Sequence, residues 1–287
     1  LTQIRRSIQS LIRGEGELLS VIGAEGSGKS RTLDEAQKFA KGIDLPIYRL
    51  SVSPTKNPLD ATIELAQKIA NEEGDILLSA AIKAIEDAKG KHDSDLRHQL
   101  FDCMNKALNQ LLDERPQIFL IDDIQHAQKP LQELIIYLNA TLIDRAGLPL
   151  LIIMSTETEQ DWLNSSTPVR LQPLESSDIH KWLIEFCGED KDLHLLAERL
   201  HQETDGTPVF LVEFIQEMIN KKQLRSGAPG KLLKPIQTII ADGFDIPPGI
   251  RQLARMKVGG LKPNQKPIIE ALAVAGRELD IDTLLDI

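Results

Sequence analysis

The most constraining feature of this sequence is a segment near its start that matches the pattern G-x-x-x-x-G-K-[ST]. It follows a short apolar run at 17–22 and precedes a helical pattern at 30–41. Glycines in such a segment let successive backbone N–H groups turn toward an anion, and the helix N-terminus adds partial positive charge. The pattern therefore predicts a phosphate-binding loop between a strand and a helix. Its residues are Gly23, Ala24, Glu25, Gly26, Ser27, Gly28, Lys29 and Ser30.

The side chains at the end of this loop predict separate roles. Lys29 is expected to reach the β- and γ-phosphates of a nucleotide and to act in catalysis, while the Ser30 hydroxyl ligates Mg²⁺. Arg31 follows directly and completes the predicted nucleotide-binding set. The alternative is a glycine-rich turn between a strand and a helix that binds no ligand.

A second apolar run ends in two carboxylates. The segment 117–121 leads into Asp122 and Asp123. A buried strand would deliver Asp122 to the carboxyl edge of a parallel sheet, where it can hold Mg²⁺ through water. Asp123 would then polarise an attacking water as a catalytic residue. The alternative is a pair of helix-capping aspartates, because a helical pattern follows at Pro130.

Polar residues also follow the apolar run 150–154. Ser155 or Thr156 could hydrogen-bond the γ-phosphate or the attacking water and so sense whether the phosphate is present. The sequence does not separate these two residues, and Ser and Thr are common at strand ends in any protein.

Strand and helix patterns alternate over the first part of the chain, which predicts an α/β fold with a mostly parallel sheet. Together with the phosphate-binding loop, this pattern resembles the three-layer sandwich of the P-loop NTPases. After Leu174 only helical periodicity remains, at 176–187, 191–204 and 208–222. Residues 225–234 resemble a flexible connector, and a second break lies at 246–249. The expected strands are 17–22, 46–52, 117–122, 149–155 and 169–171, and the expected helices between them are 30–41, 59–71, 75–89, 94–114 and 130–145.

Composition and charge narrow the function classes. Of 287 residues, 41% are hydrophobic, which excludes a disordered or fibrous protein. The net charge of −10 argues against a dedicated nucleic-acid coat. No stretch approaches the roughly 20 apolar residues of a membrane helix, and no signal peptide is visible, so we expect a cytoplasmic protein without membrane contact. One modest basic cluster comprises Lys221, Lys222, Arg225, Lys231 and Lys234.

The phosphate-binding loop, the paired acids and the polar fourth strand resemble those of the AAA+-related P-loop ATPases. Two segments are similar to one branch, the signal-transduction ATPases with numerous domains (STAND). Residues 121–127 (IDDIQHA) resemble that branch's LDDLQWA segment, and 204–213 (TDGTPVFLVE) resemble its GNPFFL helix start. Residues 170–174 match the L-x-P-L sequence that leads into its helical lid, and 247–287 resemble the start of its winged-helix domain.

This resemblance implies a Mg²⁺-dependent switch between ATP and ADP inside a larger signalling or transcription-regulating protein. It divides the chain into a nucleotide-binding domain (1–174), a helical lid (175–245) and the start of a winged-helix-like or helical domain (246–287). It also implies that the sensor strand lies between the strands before the phosphate loop and before Asp122, and that Pro208 packs against the nucleotide base. Protein partners or self-association would involve flanking domains, since the chain begins at Leu1 and ends within a helical pattern, as a piece of a longer protein would.

Some positions depart from the family pattern. His126 replaces a common aromatic, Gln128 replaces an acid, and Glu157 lies where many members have Arg. No Arg or Lys occurs from 155 to 169, so an arginine finger is missing there and slow hydrolysis is expected. Two other functions stay open: a DNA-handling AAA+ ATPase, of the origin-recognition or transposition-regulator type, and a non-hydrolysing interaction module that a nucleotide stabilises. DNA binding is possible but not favoured, because the chain is acidic.

Overall fold

The computed structural model describes residues 1–54, 57–73, 76–87, 94–225, 231–262 and 264–275. The chain divides into two compact units, Leu1–Gln172 and Pro173–Ile287. The division of the chain at 174 and 245 remains a prediction.

The first unit contains a five-stranded parallel sheet with strand order β2-β3-β4-β1-β5. This order is that of a P-loop NTPase, and it confirms the predicted α/β fold. The strand β4 lies between β1 and β3, as the resemblance implied for the sensor strand. The strands are β1 (Glu17–Ile22), β2 (Ile47–Ser51), β3 (Gln117–Asp122), β4 (Leu150–Thr156) and β5 (Thr167–Arg170).

Burial explains why the two central runs are continuously apolar. Every residue of β3 and β4 is buried, because both strands have neighbours on each side and helices on each face. The outer strand β2 is different, since its residues alternate between buried and more exposed positions. Side chains of successive residues point to opposite faces, so residues two apart in a strand share one face.

Helices cover both faces of this sheet and form three layers. On one face, α1 and α2 pack on Leu19, Ile118 and Ile153. On the other, the four helices α3 to α6 pack on Leu50, Phe119 and related side chains. The ends of the predicted helix 75–89 lie outside the described residues. The helices are α1 (Thr2–Ile12), α2 (Lys29–Lys41), α3 (Asp60–Glu73), α4 (Ile76–Asp87), α5 (Ser94–Glu114) and α6 (Lys129–Leu138).

The predicted helix over 130–145 changes type in its second half. After α6 the chain forms a π-helical segment, Asn139–Arg145. There the Thr141 hydroxyl donates to the Tyr137 carbonyl at 2.7 Å and accepts from the Asn105 side chain at 2.7 Å. A side chain that bonds the carbonyl four residues earlier competes with the regular helix ladder, which favours this widened turn.

The second unit is mainly helical and has its own apolar core, which includes Ile179, Leu200 and Phe214. Part of the predicted connector 225–234 is ordered instead: β6 (Leu224–Arg225) pairs antiparallel with β7 (Lys231–Leu232), while 226–230 lie outside the described residues. The predicted winged-helix region is described only to residue 275 and stays a prediction. The helices are α7 (Ser176–Cys187), α8 (Leu193–Thr204), α9 (Pro208–Asn220), α10 (Ile236–Ala241), α11 (Pro248–Gly259) and α12 (Lys266–Ala275).

Candidate functional site

The segment 23–30 forms the turn from β1 into α2, as the sequence predicts. Gly26 has φ of 79° and Gly28 has φ of 93°, both in the left-handed region that glycine adopts without strain. The Gly23 N–H donates to the Thr156 carbonyl at 3.1 Å, which ties the start of the loop to the end of β4. No side chain caps the first turn of α2. Its N–H groups therefore face the loop without a side-chain acceptor.

Two polar groups inside the loop indicate that it is shaped for an anion. The Lys29 side chain is buried, and its ammonium donates to the carbonyls of Gly23 at 2.9 Å and Ala24 at 3.1 Å. No ion pair to Lys29 is found among the described residues. The Ser27 Oγ is buried and has no hydrogen-bond partner. A buried cation beside an unpaired hydroxyl and free helix N–H groups fits a polyphosphate, because anionic oxygens would pair with all three.

The carboxylate predicted to hold Mg²⁺ lies at the carboxyl end of β3 on the same face of the sheet as α2. Asp122 is 5% exposed. One of its oxygens accepts a short hydrogen bond from the Ser155 hydroxyl, and the other lies 3.7 Å from the Arg49 guanidinium. Both oxygens of this carboxylate therefore have partners that fix its orientation.

Asp123 follows in a left-handed conformation with φ of 59° and ψ of 47°. Asp tolerates this region better than most residues, because its short polar side chain can bond locally. Its N–H donates to Ser155 Oγ at 2.8 Å, and its Oδ1 accepts from Gln125 at 3.1 Å. The turn separates the two acids, because Asp122 continues the strand while Asp123 leaves it.

The structure separates the two candidate sensor residues, which the sequence could not do. Ser155 shares its face of β4 with Ile153, on the α2 side, and bonds both Asp122 and the Asp123 N–H. Thr156 lies on the opposite face, where its hydroxyl donates to the Thr158 carbonyl at 2.8 Å. Only Ser155 is thus joined to the acidic pair.

The other predicted residues differ in their surroundings. Ser30 is exposed at the start of α2, so its hydroxyl is accessible. Arg31 is also exposed and forms an ion pair with Glu35 at 2.9 Å, one turn further along the helix. Pro208 is the first residue of α9 in the second unit, so its predicted contact with the nucleotide base stays a prediction.

The sequence analysis missed Arg49, which lies beside Asp122, and its two partners on α2, Asp34 and Gln37. Arg49 of β2 donates to Asp34 at 2.5 Å and to Gln37 at 2.8 Å, both on α2, in addition to its approach to Asp122. A signal existed: Arg49 is a lone charge between Tyr48 and Leu50 in an otherwise apolar run. The sequence could not show which carboxylates it would meet.

Comparison with known proteins gives a family match and a shared fold. A family model described as an AAA ATPase domain matches residues 1–153. No curated protein matched the chain. Cdc6p from Pyrobaculum aerophilum superposes with a TM-score of 0.51 at 12% identity, covering 77% of this chain and 61% of that protein. At this identity the likeness concerns the fold alone.

A STAND protein with a tetratricopeptide repeat sensor from Pyrococcus horikoshii is also similar. It superposes with a TM-score of 0.48 at 16% identity and covers 98% of this chain. This chain spans 35% of the length of that protein.

In the described part of the chain, no helix is both long enough and apolar enough to cross a membrane.

Proposed function

The chain belongs to the AAA ATPase domain family, and we propose that it binds ATP and ADP with Mg²⁺ and works as a slow nucleotide-operated switch in a larger protein. One observation carries the proposal. The buried Lys29 in its loop and the Asp122–Ser155 pair lie at the same carboxyl edge of the sheet and on the α2 side. In parallel α/β sheets, this edge is where ligands bind.

The loop would hold the phosphates of the nucleotide. Backbone N–H groups at the start of α2 would face the anion, and Lys29 would leave its two carbonyl partners to pair with phosphate oxygens. The Ser27 hydroxyl would gain a partner it lacks. Arg31 lies at the solvent side of the helix start, and Pro208 would contact the base.

The two acids would bind the metal and activate the attacking water. The Ser30 hydroxyl and Asp122 are the groups that would hold Mg²⁺, which when bound neutralises charge that develops on the phosphates. Asp123 would accept a proton from the attacking water as general base, or orient that water. The Ser155 hydroxyl donates to the Asp122 carboxylate and accepts from the Asp123 backbone N–H, so it would transmit any change at the phosphates to both residues.

Slow hydrolysis is expected because no Arg or Lys occurs from 155 to 169, at and directly after the end of β4. Arg170 at the end of β5 is paired with Glu159, so it is not available as an arginine finger in this arrangement. An arginine finger contributes about 10³-fold or more to turnover in related P-loop enzymes. A partner protein or a second copy would have to supply the missing charge.

The switch function itself is supported by the STAND-like segments 121–127 and 204–213. In this proposal the helical lid closes over bound ADP, and exchange for ATP shifts the flanking domains and exposes a surface for self-association.

The described basic cluster gives no added support to DNA binding. Lys221 pairs with Asp245 at 2.7 Å and Lys234 with Asp242 at 3.1 Å, so acids neutralise part of its charge.

The experiment that tests the proposal identifies the nucleotide that the purified protein carries. The protein is denatured, and released nucleotides are separated by chromatography and quantified against protein. We expect ADP at close to one per chain, because a closed switch retains its product. Stoichiometric ATP would instead favour the non-hydrolysing module, and absence of nucleotide combined with salt-sensitive DNA binding would favour the DNA-handling function.

A second prediction concerns the sensor residue. Ser155→Ala should lower ATP turnover about tenfold, since loss of a hydrogen bond to a charged group costs about 1.5 kcal/mol or more, while ADP affinity changes less than about twofold. Phosphate release at saturating ATP and Mg²⁺ measures the first, and calorimetric titration the second. Thr156→Ala is the comparison, and a larger loss from Thr156→Ala than from Ser155→Ala would reverse the assignment.

A further inference from the structure

Arg49 places a positive charge beside the carboxylate that is proposed to hold Mg²⁺. It belongs to β2, the outer strand next to β3, and its side chain lies on the same face as Asp122. Its Nη2 is 3.7 Å from Asp122 Oδ2. The Asp122 side chain is 7% exposed, whereas that of Arg49 is 31% exposed. The carboxylate is therefore largely shielded from water, and the cation is only partly so.

The guanidinium is anchored from its other side. Its Nη1 donates to Asp34 Oδ1 at 2.5 Å and to Gln37 Oε1 at 2.8 Å, one turn apart on α2. Because the group is planar and rigid, bonds at Nη1 also fix the position of Nη2. The second nitrogen is thus held toward Asp122 by contacts that do not involve Asp122 itself.

The fixed guanidinium of Arg49 disfavours the binding of a second cation to the Asp122 carboxylate. Mg²⁺ and a guanidinium repel each other at short range, and this repulsion is screened less at the Asp122 carboxylate, which is largely shielded from water. The other Asp122 oxygen already accepts from the Ser155 hydroxyl, so the carboxylate has no oxygen free of a donor or cation. A metal must therefore compete with Arg49 for Asp122.

We propose that Arg49 is a tuning residue for the metal site, which competes with Mg²⁺ for Asp122 and raises the Mg²⁺ concentration at which the metal tightens nucleotide binding. This inference rests on the proposed function, because it concerns the same site. Arg49 lies outside the phosphate loop and the acidic pair. The proposal predicts that removal of its positive charge strengthens the interaction of the site with Mg²⁺.

A purely structural role for Arg49 predicts the opposite result. If the side chain only connected β2 to α2 and kept Asp122 in place, its removal would misplace the carboxylate and weaken the effect of Mg²⁺. Two substitutions separate these possibilities. Arg49→Gln removes the charge and keeps much of the length, whereas Arg49→Lys keeps the charge and loses the planar fork.

The test measures the affinity for ADP by calorimetry over a series of buffered free Mg²⁺ concentrations, starting from EDTA. The wild-type chain, Arg49→Gln and Arg49→Lys are compared with Arg97→Gln. Arg97 is a matched control, since it is 28% exposed and pairs with Glu133 at 3.3 Å on the opposite face of the sheet. Thermal unfolding of each variant checks that it is folded.

We expect Arg49→Gln to lower the half-saturating Mg²⁺ concentration about fivefold, a modest change because Arg49 is partly exposed. Arg49→Lys and Arg97→Gln should stay within about twofold of wild type. The inference is overturned if the half-saturating Mg²⁺ concentration of Arg49→Gln is unchanged or higher than that of wild type. It is also overturned if this concentration falls equally in Arg49→Lys. Wild-type protein that binds no ADP at any Mg²⁺ concentration would overturn the proposed function itself, so the two failures are distinguishable.

Discussion

Lys29→Ala is expected to abolish nucleotide binding, with a loss of at least about 100-fold in ADP affinity, while the fold is retained. Lys29 is buried within the loop, and its partners among the described residues are the Gly23 and Ala24 carbonyls. Truncating one partner of a buried charge pair costs about 2–5 kcal/mol, and the phosphates would lose their main cation. Alanine is also a good helix former at this first position of α2.

Titration with ADP and ATP measures the loss, and the unfolding temperature checks the fold. The temperature should change by less than about 5 °C, because only two hydrogen bonds to backbone carbonyls are removed. Lys38→Ala is the control: Lys38 lies on the same helix, is exposed and pairs with Glu35. Unchanged affinity in Lys29→Ala would show that the loop does not hold the phosphates.

Asp123→Asn should lower ATP turnover about 100-fold or more and leave ADP affinity within about threefold. General-base catalysis by a side chain contributes about 10²–10⁴-fold, and an amide cannot accept the proton. The substitution preserves shape, because Asn tolerates the left-handed conformation that Asp123 adopts. Its N–H bond to Ser155 is retained, since that bond involves the backbone.

Single-turnover hydrolysis of ATP, with product quantified over time, makes a slow rate measurable. The chain offers a close control in Asp44→Asn, because Asp44 is exposed and has φ of 58°, nearly the same φ as Asp123. Full turnover in Asp123→Asn would remove Asp123 from the reaction and leave Asp122 as the only acid assigned there. Loss of ADP binding in this variant would contradict its assignment to catalysis alone.

These substitutions address separate steps. Lys29 is assigned to phosphate binding, Asp123 to the water, and Arg49 to the balance between Asp122 and the metal. A variant series that affects binding, turnover and Mg²⁺ dependence independently would support these assignments, whereas parallel losses in all three would indicate general damage to the sheet edge.

The sequence by itself determined the fold of the first unit and the position of its phosphate loop. The order of glycines, Lys29 and Ser30 dictates a local structure, and the continuous apolar runs of β3 and β4 indicate strands buried on both faces. These features are local or periodic, so they can be recognised in one chain. The resemblance also gave the correct place of β4 between β1 and β3.

Only the tertiary structure decided how side chains far apart in the sequence meet. Ser155 lies on the α2 face and Thr156 on the other, because residues in a strand alternate, and only the packing of β4 decides which face meets α2. Arg49 lies 73 positions from Asp122 in sequence numbering, and their contact depends on the pairing of β2 with β3. The Asn105 side chain that bonds Thr141 in the π-helical segment comes from α5, 36 positions earlier in the sequence. Long-range pairing of this kind leaves no periodic trace in the sequence, which is why the charge beside Asp122, the acid proposed to hold Mg²⁺, became visible only in three dimensions.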